Sequence, residues 1–512
     1  LGLSNYCWNA NQSEWICQIA KEIRPNIITV KGGTNYPFDA YNQKLFFQQF
    51  KFTDFHIFYE GEVAFVNFCK AYLSEQKLAK LKEIPIAGLQ SVSPSSGNLV
   101  SGPEVPRLKN LDDIPSPYLT GILDDFFDGN LAPVLESTRG CPFTCNFCNA
   151  GDAYYNKVRM FSLDRIKEEI QYIGSKVRSI GIYNLILADN NFGMFERDAE
   201  ITEFIGQMQS KYGWPMTIDT TVGKSQVKKV AKALKNLAPR TLQVNAVVQT
   251  TTPSVLKTIR RRNLSLTDLD WIKHQTKNQG NRTSSDLIIG LPGETKDTFF
   301  QSIAEVIRAG VNGLSPYTLM NLLGTPLYRP PDDREGYDIR HRIVPIQFGF
   351  YDDEPIFETE EVVVATPTLS FDDYLECRRL SYFVQVIHNN EIFENIRRIL
   401  RVTEIDLFEF IIEVMAAVNE LEEGEVFDQA RAFMADTKSE LWDSSERVHE
   451  FFGDSENYKA LLEGGFGQNL MDKYMRLAQC DGINGWLSVV MTVLRKKIHT
   501  KHIDVPSDID MN

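Results

Sequence analysis

Between residues 131 and 328 the sequence alternates short apolar runs with amphipathic stretches, and this alternation limits the fold more than any other feature. Six runs read as strands: LAPVLES, NLILAD, PMTIDT, TLQVNAVV, SDLIIG and GLSPYTLM. Helical patterns such as SLDRIKEEIQYIG and DTFFQSIAEVIRAG lie between them. Strands that alternate with helices pair in parallel, and ligands bind at the carboxyl ends of such strands. The pattern therefore predicts a parallel α/β domain over residues 131–345.

Three further regions flank this domain. Residues 1–100 contain the apolar run NIITV before KGG and the helical pattern EVAFVNFCKAYLSEQKL, which together predict part of an open α/β sheet. Residues 101–130 carry four prolines and little periodicity, as expected for a linker. Residues 346–512 show apolar spacings of three and four, which predict a helical C-terminal domain.

Composition excludes several classes of protein. The formal net charge is -14 without a long basic block, which argues against a non-specific nucleic-acid binder. No apolar run is long enough for a membrane span, and the first residues are no signal peptide. Cysteine is sparse and lacks the spacing of a disulfide framework, so we expect a reducing, cytoplasmic setting. The chain starts at Leu1, apparently in mid-strand, and we expect it to be a fragment.

Three cysteines, Cys141, Cys145 and Cys148, lie together in the stretch ESTRGCPFTCNFCNAG, directly after the first predicted strand of the parallel domain. A structural zinc site needs four ligands, usually as two separated pairs, and no second pair is present. Three unrelated core cysteines are a second alternative, but such a dense triplet at a strand end argues against it. The third alternative is an iron-sulfur cluster that is held by three thiolates and keeps one iron open for another ligand.

The spacing Cys141-x3-Cys145-x2-Cys148, with Phe147 before the last cysteine, resembles the signature of the radical S-adenosylmethionine (SAM) superfamily. Four later segments are similar to that family in the same order: LADNNFGM, VVQTTTPSVLKTIRRRN, DLIIGLPGETKDTF and YTLMNLLGTPLY. The resemblance covers about 200 residues. It implies a partial (β/α)6 TIM-like barrel for residues 131–345.

The resemblance also implies a set of cofactors and contacts. Cys141, Cys145 and Cys148 would hold a 4Fe-4S cluster whose open iron binds SAM, and reduction would cleave SAM to a 5'-deoxyadenosyl radical. The remaining residues that the resemblance implies in SAM binding are Phe147 beside the cluster, Asp189 or Asn190 at the ammonium, Gln249 at the ribose, Arg261 at the carboxylate and Gly290 near the adenine. The alternative for the polar residues is ordinary capping of strand ends, and for the RRR run at 260–262 it is a solvated helix end.

Residues 1–100 resemble the later half of the cobalamin-binding, Rossmann-like domain that precedes many radical SAM enzymes. In that family a serine and two glycines line the groove for the nucleotide tail, and Ser4, Gly32 and Gly33 match them. The loop whose histidine can bind cobalt would precede Leu1. His56 lies within a strand, so we interpret it as structural. The alternative is a vestigial domain that binds no cobalamin.

These features together predict a radical SAM enzyme, most consistent with cobalamin-dependent methyl transfer to an unactivated centre of a small molecule or biosynthetic intermediate. Radical cyclisation or rearrangement is the alternative reaction, and a non-catalytic cobalamin or iron-sulfur carrier or sensor is the alternative from another class. An RNA modifier is disfavoured because no basic RNA-binding module is present. The expected partners are a small-molecule substrate and an external one-electron reductant such as flavodoxin or ferredoxin, with no nucleic acid.

The helical C-terminal domain is predicted to close the open side of the barrel and to choose the substrate. The stretch LSYFVQVIHNNEIFENIRRIL contains Tyr382, Phe383, His388 and Arg397, a mixture that suits a ring or an acidic group. The alternative is ordinary helix packing, because aromatic residues at helical spacing usually belong to a core.

Overall fold

The structure is a computed structural model. It describes residues 1–223, 225–245, 247–265, 267–268, 271, 274–275, 282–351 and 354–502. Within this part of the chain no helix is both long and apolar enough to cross a bilayer.

The N-terminal region is a five-stranded sheet in the order β1-β2-β3-β4-β5. The strands are β1 Gly2–Ser4, β2 Val30–Gly32, β3 Phe55–Ile57, β4 Leu89–Val92 and β5 Leu99–Ser101. The helices are α1 Ala10–Ile23, α2 Ala40–Gln49, α3 Gly61–Ser74 and α4 Leu78–Leu81. The first three strands are parallel, as the βα alternation predicts, whereas β4 and β5 add to the sheet in antiparallel pairs.

Successive residues of β2 and β3 point to opposite faces of this sheet. Val30, Phe55 and Ile57 pack in one apolar cluster with α3, while Lys31 and His56 are fully buried on the other face. The His56 ring stacks on Tyr36 at 3.7 Å, and burial lowers its pKa to about 3. His56 is therefore a neutral packing residue, in agreement with the interpretation made from the sequence.

Residues 101–130 are not a loose linker, although they contain little regular structure. Leu111 and Tyr118 are buried in the main hydrophobic core, and the Tyr118 hydroxyl donates to the carbonyl of Val134. The Arg165 guanidinium in the next helix reaches back to the carbonyl of Ile114. The segment thus packs against the parallel strands that follow it.

Six parallel strands form the central region, at the six positions that the alternation predicts. They are β6 Val134–Leu135, β9 Asn184–Phe192, β10 Thr217–Val222, β11 Val244–Asn245, β12 Thr283–Ile289 and β13 Gly313–Thr318. The order is β6-β9-β10 in one sheet and β11-β12-β13 in another, and a parallel bridge between Ile218 and Leu242 joins the two. The helices are α5 Leu163–Val177, α6 Glu196–Tyr212, α7 Val227–Leu234, α8 Pro253–Thr258 and α9 Lys296–Arg308. A short antiparallel pair, β7 Thr138–Arg139 and β8 Arg159–Met160, brackets the cysteine loop.

After the sixth parallel strand the chain forms a long antiparallel hairpin, β14 Asp338–Tyr351 and β15 Glu354–Ala365. The predicted helical domain therefore begins later than residue 346, and its first twenty residues are mostly strand. The runs HRIVPIQFGFY and PIFETEEVVVA are rich in β-branched and aromatic residues, which favour strands.

The described residues from 366 to 502 are mostly helical, as predicted. The helices are α10 Phe371–Ile387, α11 Glu394–Val402, α12 Leu407–Asn419, α13 Glu425–Ser439, α14 Ser445–Phe452, α15 Ser455–Leu462, α16 Leu470–Cys480 and α17 Ile483–Lys501. α10 packs on α9 and β13, and its buried side chains belong to the same core as the central strands. The C-terminal helices and the parallel strands therefore share one core.

Candidate active site

The cysteine loop, residues 140–158, follows the strand end at β7. Gly140 opens the loop with φ +105°, and the Cys141 amide donates to the carbonyl of Tyr155 at 3.0 Å, which closes it. Gly151 lies so close to the Cys145 carbonyl that a Cβ atom there would overlap the oxygen. The close approach at Gly151 holds the loop in a compact fold.

A buried guanidinium lies beside the cysteine loop. Arg261 is 5% exposed, and its Nη1 lies 3.9 Å from Cys145 Sγ. Burial lowers the pKa of Arg261, while the nearby Cys145 thiol and, more weakly, Cys148 and Cys141 act to raise it. A second hydrogen bond, from Nη2 to the Val247 carbonyl, fixes the side chain at the end of the fourth parallel strand.

This arrangement suits a cluster better than a single metal ion. Across the described ranges, no three His, Cys, Asp or Glu side chains lie close enough together to bind one ion. A cubane cluster has another requirement, because each thiolate binds a different iron and the sulfurs stand further apart. The three cysteines of one loop, beside the buried Arg261, provide the three thiolates that such a cluster needs.

Asp189 and Asn190 point to opposite faces of β9, because successive side chains alternate along a strand. The Asp189 carboxylate is 2% exposed and accepts four hydrogen bonds from Ser137 and Thr138, at 2.5 to 3.1 Å. Burial raises its pKa. Asn190 is exposed, with Nδ2 3.5 Å from the Gly140 carbonyl. Of the two side chains, Asn190 is the one that is open to a ligand. Asp189 instead anchors the strand that precedes the cysteine loop.

The next residue, Asn191, was missed by sequence reasoning although it lies in the same motif. Its Nδ2 is 3.3 Å from Cys141 Sγ, and its buried Oδ1 has no hydrogen-bond partner within the described chain. Asn146 and Asn149 inside the cysteine loop were missed as well. The Asn149 amide donates to the carbonyls of Leu323 and Gly324, at 3.0 and 2.7 Å, and so ties the loop to the segment after β13.

Gln249 lies where the sequence predicts a ribose contact, at the end of the fourth strand. It is 8% exposed, adopts φ +65°, and its Oε1 has no donor among the described residues. Its backbone is fixed by a bond to the Asp286 carbonyl at 2.8 Å and another from the Ile288 amide at 2.9 Å. A buried acceptor without a partner is costly, and a bound hydroxyl would satisfy it.

Phe147 and Gly290 both have packing roles in the described structure. Phe147 packs against an apolar cluster that includes Ile259 and Leu291. Gly290 has φ +88°, and a Cβ atom there would lie 3.0 Å from the Val363 carbonyl of β15. Their predicted contacts with the cofactors remain predictions.

Glu294, at the end of the GLPGE turn, is a further residue that the sequence did not single out. It is 1% exposed, accepts from the Thr250 hydroxyl at 2.7 Å, and leaves Oε2 without a partner among the described residues. Burial raises its pKa to about 8. Glu294 is therefore largely protonated at neutral pH.

A cavity of about 320 Å³ lies between the N-terminal sheet and the cysteine loop. Its walls combine polar side chains with five aromatic rings, Tyr36, Phe38, Phe58 and Tyr59 on one side and Tyr155 on the other, and we call it the aromatic cavity. This volume is in the range of small-molecule pockets.

Of the three residues that the sequence assigns to a cofactor groove, only Gly33 lines this cavity. Gly32 ends β2, and the Ser4 hydroxyl accepts from Asn9 at 2.7 Å. The fold itself also requires Gly33, because at φ +143° a Cβ atom would overlap the Asn5 carbonyl, and its role towards a cofactor stays a prediction. The backbone at Gly33 thus packs closely against the backbone of Asn5 in the same chain.

Contacts across the cavity join the N-terminal sheet to the cysteine loop. The Arg107 guanidinium pairs with Glu60 at 2.7 Å and donates to the carbonyls of Tyr154 and Lys157. Tyr59, at φ +64°, stacks on Tyr154 with a centroid distance of 4.0 Å. The two sides of the cavity are therefore held in a fixed relation.

The four residues proposed for substrate choice in the C-terminal region are buried in the core. Tyr382 and Phe383 are fully buried and pack on Trp486, and His388 is 5% exposed. Arg397 donates to the carbonyls of Ile387 and Asn390 within its own region. Ordinary helix packing accounts for Tyr382 and Phe383. His388 and Arg397 also line a cavity with Arg240 and Arg282, so their role in substrate choice stays a prediction.

Comparison with known proteins places the site in context. The family described as the Radical SAM superfamily matches residues 135–306, which contain the cysteine loop, Gln249 and Arg261. A Streptomyces tokunonensis protein described as "Cobalamin-dependent radical SAM methyltransferase TokK" is 30% identical over 406 residues, 76% of this chain and 56% of that protein. A "2-(S-pantetheinyl)-carbapenam-3-carboxylate methyltransferase" of Streptantibioticus cattleyicolor is 28% identical over 403 residues, again 76% of this chain and 56% of that protein.

The chain thus spans a little over half the length of these curated relatives. Among solved structures, the "Cobalamin-dependent S-adenosylmethionine radical enzyme OxsB with aqua-cobalamin and S-adenosylmethionine bound" has a TM-score of 0.50 and 13% identity. That likeness covers 99% of this chain and 73% of the other. At such low identity it concerns the fold alone, an α/β fold with substantial helical content.

Proposed function

Because residues 135–306 are a radical SAM domain, homologous to that of cobalamin-dependent methyltransferases, we propose that this chain is the catalytic part of a cobalamin-dependent radical SAM methyltransferase. Its substrate would be a small biosynthetic intermediate with an unactivated centre. The observation that carries the proposal is the single loop that holds Cys141, Cys145 and Cys148, with the buried Arg261 guanidinium 3.9 Å from Cys145 Sγ.

The residues present fit a 4Fe-4S cluster with SAM beside it. Cys141, Cys145 and Cys148 would hold the cluster, which when reduced supplies the electron that cleaves SAM to a 5'-deoxyadenosyl radical. The Arg261 guanidinium suits the SAM carboxylate. Two buried oxygens without partners, Gln249 Oε1 and Asn191 Oδ1, would accept hydrogen bonds from SAM hydroxyl or ammonium groups.

The other side chains of the site would orient these groups rather than touch SAM. Asp189 holds Ser137 and Thr138, and so fixes the strand from which the cysteine loop departs. Asn190 is the better candidate for the ammonium because it faces the open side of β9. The six parallel strands would form the partial (β/α)6 barrel of the superfamily, with Gly290 and Phe147 packed near the adenine and the cluster.

The aromatic cavity beside the cysteine loop would receive part of a cobalamin, such as its nucleotide tail. Flat rings such as Tyr36 and Tyr59 suit a stacked heterocycle, and Gly33 leaves the wall open at that point. Cobalamin would supply the methyl group to be transferred. We place the enzyme in the cytoplasm, since all eight cysteines are free thiols and a low-potential donor such as flavodoxin or ferredoxin is needed.

Anaerobic reconstitution tests the cluster first. The wild-type chain should bind about four irons and four sulfides, and reduction with SAM should yield 5'-deoxyadenosine. Replacing Cys141, Cys145 and Cys148 together by alanine should abolish both. Replacing the scattered, exposed Cys69 and Cys480 by alanine is the matched control and should change neither. Unchanged iron in the triple variant would refute the site.

Product analysis then separates the reaction classes. With cobalamin and the true substrate, methyl transfer should give one S-adenosylhomocysteine and one 5'-deoxyadenosine per product. Cyclisation or rearrangement would give 5'-deoxyadenosine without S-adenosylhomocysteine. A carrier or sensor would form neither, and that result would overturn the proposal.

A further inference from the structure

Arg378, in α10, is a buried cation whose donors are poorly matched. The residue is 5% exposed, and its Nε–H is enclosed without a hydrogen-bond partner among the described residues. Its ion-pair partner in that part of the chain is Glu440, whose Oε1 is 4.0 Å from Nη2. The Phe433 ring lies 5.7 Å from the guanidinium and cannot replace an acceptor in the guanidinium plane. A buried charged donor that is left unpaired is costly, so Arg378 needs a further acceptor.

Glu440 does not supply that acceptor, because it is already shared with Arg342 of β14. The Arg342 guanidinium donates to Glu440 at 3.3 Å and to Glu360 at 2.7 Å. Both carboxylates act to raise the pKa of Arg342. Of the two guanidiniums that face Glu440, Arg378 is therefore the one that keeps unused hydrogen-bonding capacity.

Arg378 lines a pocket of about 120 Å³ beside β13, the last of the parallel strands. β13 lies at the edge of its sheet, and its residues Ser315, Tyr317 and Thr318 form one wall. α10 adds Gln385, and the first turn of α16 also contributes. This volume, which we call the Arg378 pocket, suits the end group of a larger molecule or about four waters.

The Arg378 pocket lies at the same end of the parallel strands as the cysteine loop. Thr318 is the last residue of β13, and its hydroxyl is 3.2 Å from that of Tyr374, one helical turn before Arg378. Five residues after Thr318, the Leu323 carbonyl accepts from Asn149 of the cysteine loop at 3.0 Å. A molecule bound in the pocket would therefore have one end fixed beside the strand ends of the candidate active site.

The walls of the Arg378 pocket favour a group with a single negative charge. Arg378, the Ser315 hydroxyl and the Gln385 amide can donate hydrogen bonds, and the positive end of the α16 dipole adds to the field. Glu440 and Asp472 line the pocket as well, so they would repel a group with two negative charges such as phosphate. A carboxylate carries one charge and matches the planar guanidinium, which can hold both of its oxygens.

Resting on the proposed function, we propose that the Arg378 pocket binds the carboxylate group of the substrate. The SAM carboxylate has its own cationic partner in Arg261, so Arg378 remains for a second acid. The substrate class is then a small carboxylic acid, and the rest of the molecule extends from the pocket along the open edge of β13. Tyr317, which is 55% exposed at this edge, offers a flat surface for that part.

Fluorine NMR with trifluoroacetate as the probe tests the pocket in the reconstituted holoenzyme. The wild type should broaden the trifluoroacetate signal, whereas the signal of neutral trifluoroacetamide should stay sharp. Arg378→Gln should raise the dissociation constant of trifluoroacetate about 10-fold or more, and Arg378→Lys, which keeps the charge, should raise it less. Arg379→Gln is the matched control, because Arg379 pairs with Glu376 on the same helix and its loss should not affect binding. Equal broadening by wild type and Arg378→Gln would mean that the pocket holds water only, and would overturn the proposal.

Turnover connects the pocket to the substrate. The holoenzyme with cobalamin, a reductant and SAM that carries a labelled methyl group is mixed with a deproteinised extract of the source organism. Arg378→Gln should transfer label to small molecules about 10-fold more slowly than the wild type, while its 5'-deoxyadenosine formation without extract stays unchanged. A merely structural role of Arg378 would lower both rates. Trifluoroacetate should also slow label transfer by the wild type, a measurement that does not depend on how well any variant folds.

The pocket and the proposed function would fail in different ways. Label transfer by Arg378→Gln at the wild-type rate, or trifluoroacetate that binds without slowing transfer, would overturn the pocket as the site of the substrate carboxylate. Wild-type protein that forms no 5'-deoxyadenosine would instead refute the proposed function.

Discussion

Arg261 connects the two halves of the candidate site at the scale of single residues. It is held by the Val247 carbonyl on one side and by Asn263 Oδ1 at 2.9 Å on the other, which leaves Nη1 directed to Cys145. A guanidinium fixed in this way is prepared for a carboxylate, because little side-chain entropy is left to lose.

Replacement of Arg261 tests this role. Arg261→Gln should weaken SAM binding about 10- to 100-fold, since a charged hydrogen bond contributes about 1.5–3 kcal/mol. Iron content should stay near that of the wild type, which separates binding from cluster assembly. The exposed neighbour offers a control, because Arg262→Gln should leave SAM affinity unchanged in isothermal titration. Equal SAM affinity of Arg261→Gln and the wild type would rule out the contact.

Glu294 gives a pH dependence whose sign follows from its burial. Its pKa rises from an ordinary 4.5 to about 8 in the folded chain. Between these two pH values the folded state keeps the Glu294 proton and the unfolded state releases it. The free energy of unfolding is therefore unaffected by Glu294 below about pH 4.5 and decreases as pH rises towards 8. The loss should amount to about 5 kcal/mol at most.

Urea unfolding of the apoprotein between pH 5.5 and 8.5 measures this effect. Glu294→Gln keeps the shape and cannot ionise, so its stability should fall less over that range than that of the wild type. The comparison Glu305→Gln, at a half-buried residue of α9, should follow the wild-type curve. Parallel curves for wild type and Glu294→Gln would contradict a protonated Glu294.

Sequence reasoning reached the cysteines and Arg261 because their spacing is set by chemistry and chain order alone. It did not separate Asp189 from Asn190, since the pleat that sends them to opposite faces depends on where β9 begins. It also did not foresee that Gly33 packs against the Asn5 carbonyl, because the two residues are far apart in the sequence. Such contacts across the fold have no local pattern from which to predict them.

At the scale of elements, α10 behaves as part of the central region rather than as a separate lid. It follows the hairpin, yet it packs on α9 and β13 and shares their core. The helical periodicity of residues 371–387 predicts the helix correctly, but periodicity does not say which surface it covers. Deletion of residues 360–512 would therefore expose the core of the parallel strands.

A core substitution in α10 tests whether the two regions unfold together. Phe383→Ala removes a fully buried ring and should cost about 3–5 kcal/mol. The loss should lower the midpoint of cluster absorbance and of helical circular dichroism by the same amount. Ile392→Ala, at a residue that is 45% exposed, should barely shift either midpoint. Two separate transitions would mean that the helices form an independent domain.

At the scale of the whole molecule, the hairpin joins the N-terminal sheet to the rest of the chain. The Glu358 carboxylate of β15 accepts from the amides of Asn11 and Gln12, at 3.0 and 2.8 Å, in the first turn of α1. Trp15 donates to Glu354 at 3.0 Å in the same interface. One helix terminus is thus capped by a residue nearly 350 positions away, which fixes the sheet against the hairpin.

Loss of this cap should loosen the N-terminal region without harming the cluster. Glu358→Ala removes a helix cap worth about 1–2 kcal/mol. Limited trypsin digestion should cut residues 101–130 faster, and cobalamin binding should weaken, while iron content stays constant. Glu391→Ala, at an exposed carboxylate far along the chain, serves as the reference. If Glu358→Ala is digested at the wild-type rate, the other contacts between α1 and the hairpin are enough to hold the N-terminal sheet in place.

The ties around the aromatic cavity have a consequence for how a bulky ligand enters it. Arg107 and Asn149 join its two sides, through contacts with Glu60, the Lys157 carbonyl and the Thr34 carbonyl. A ligand as large as a corrinoid has to pass while at least one of them opens, so loading should be slow even where the final complex is tight. We expect cells supplied with the corrinoid during synthesis to yield more loaded protein than mixing afterwards.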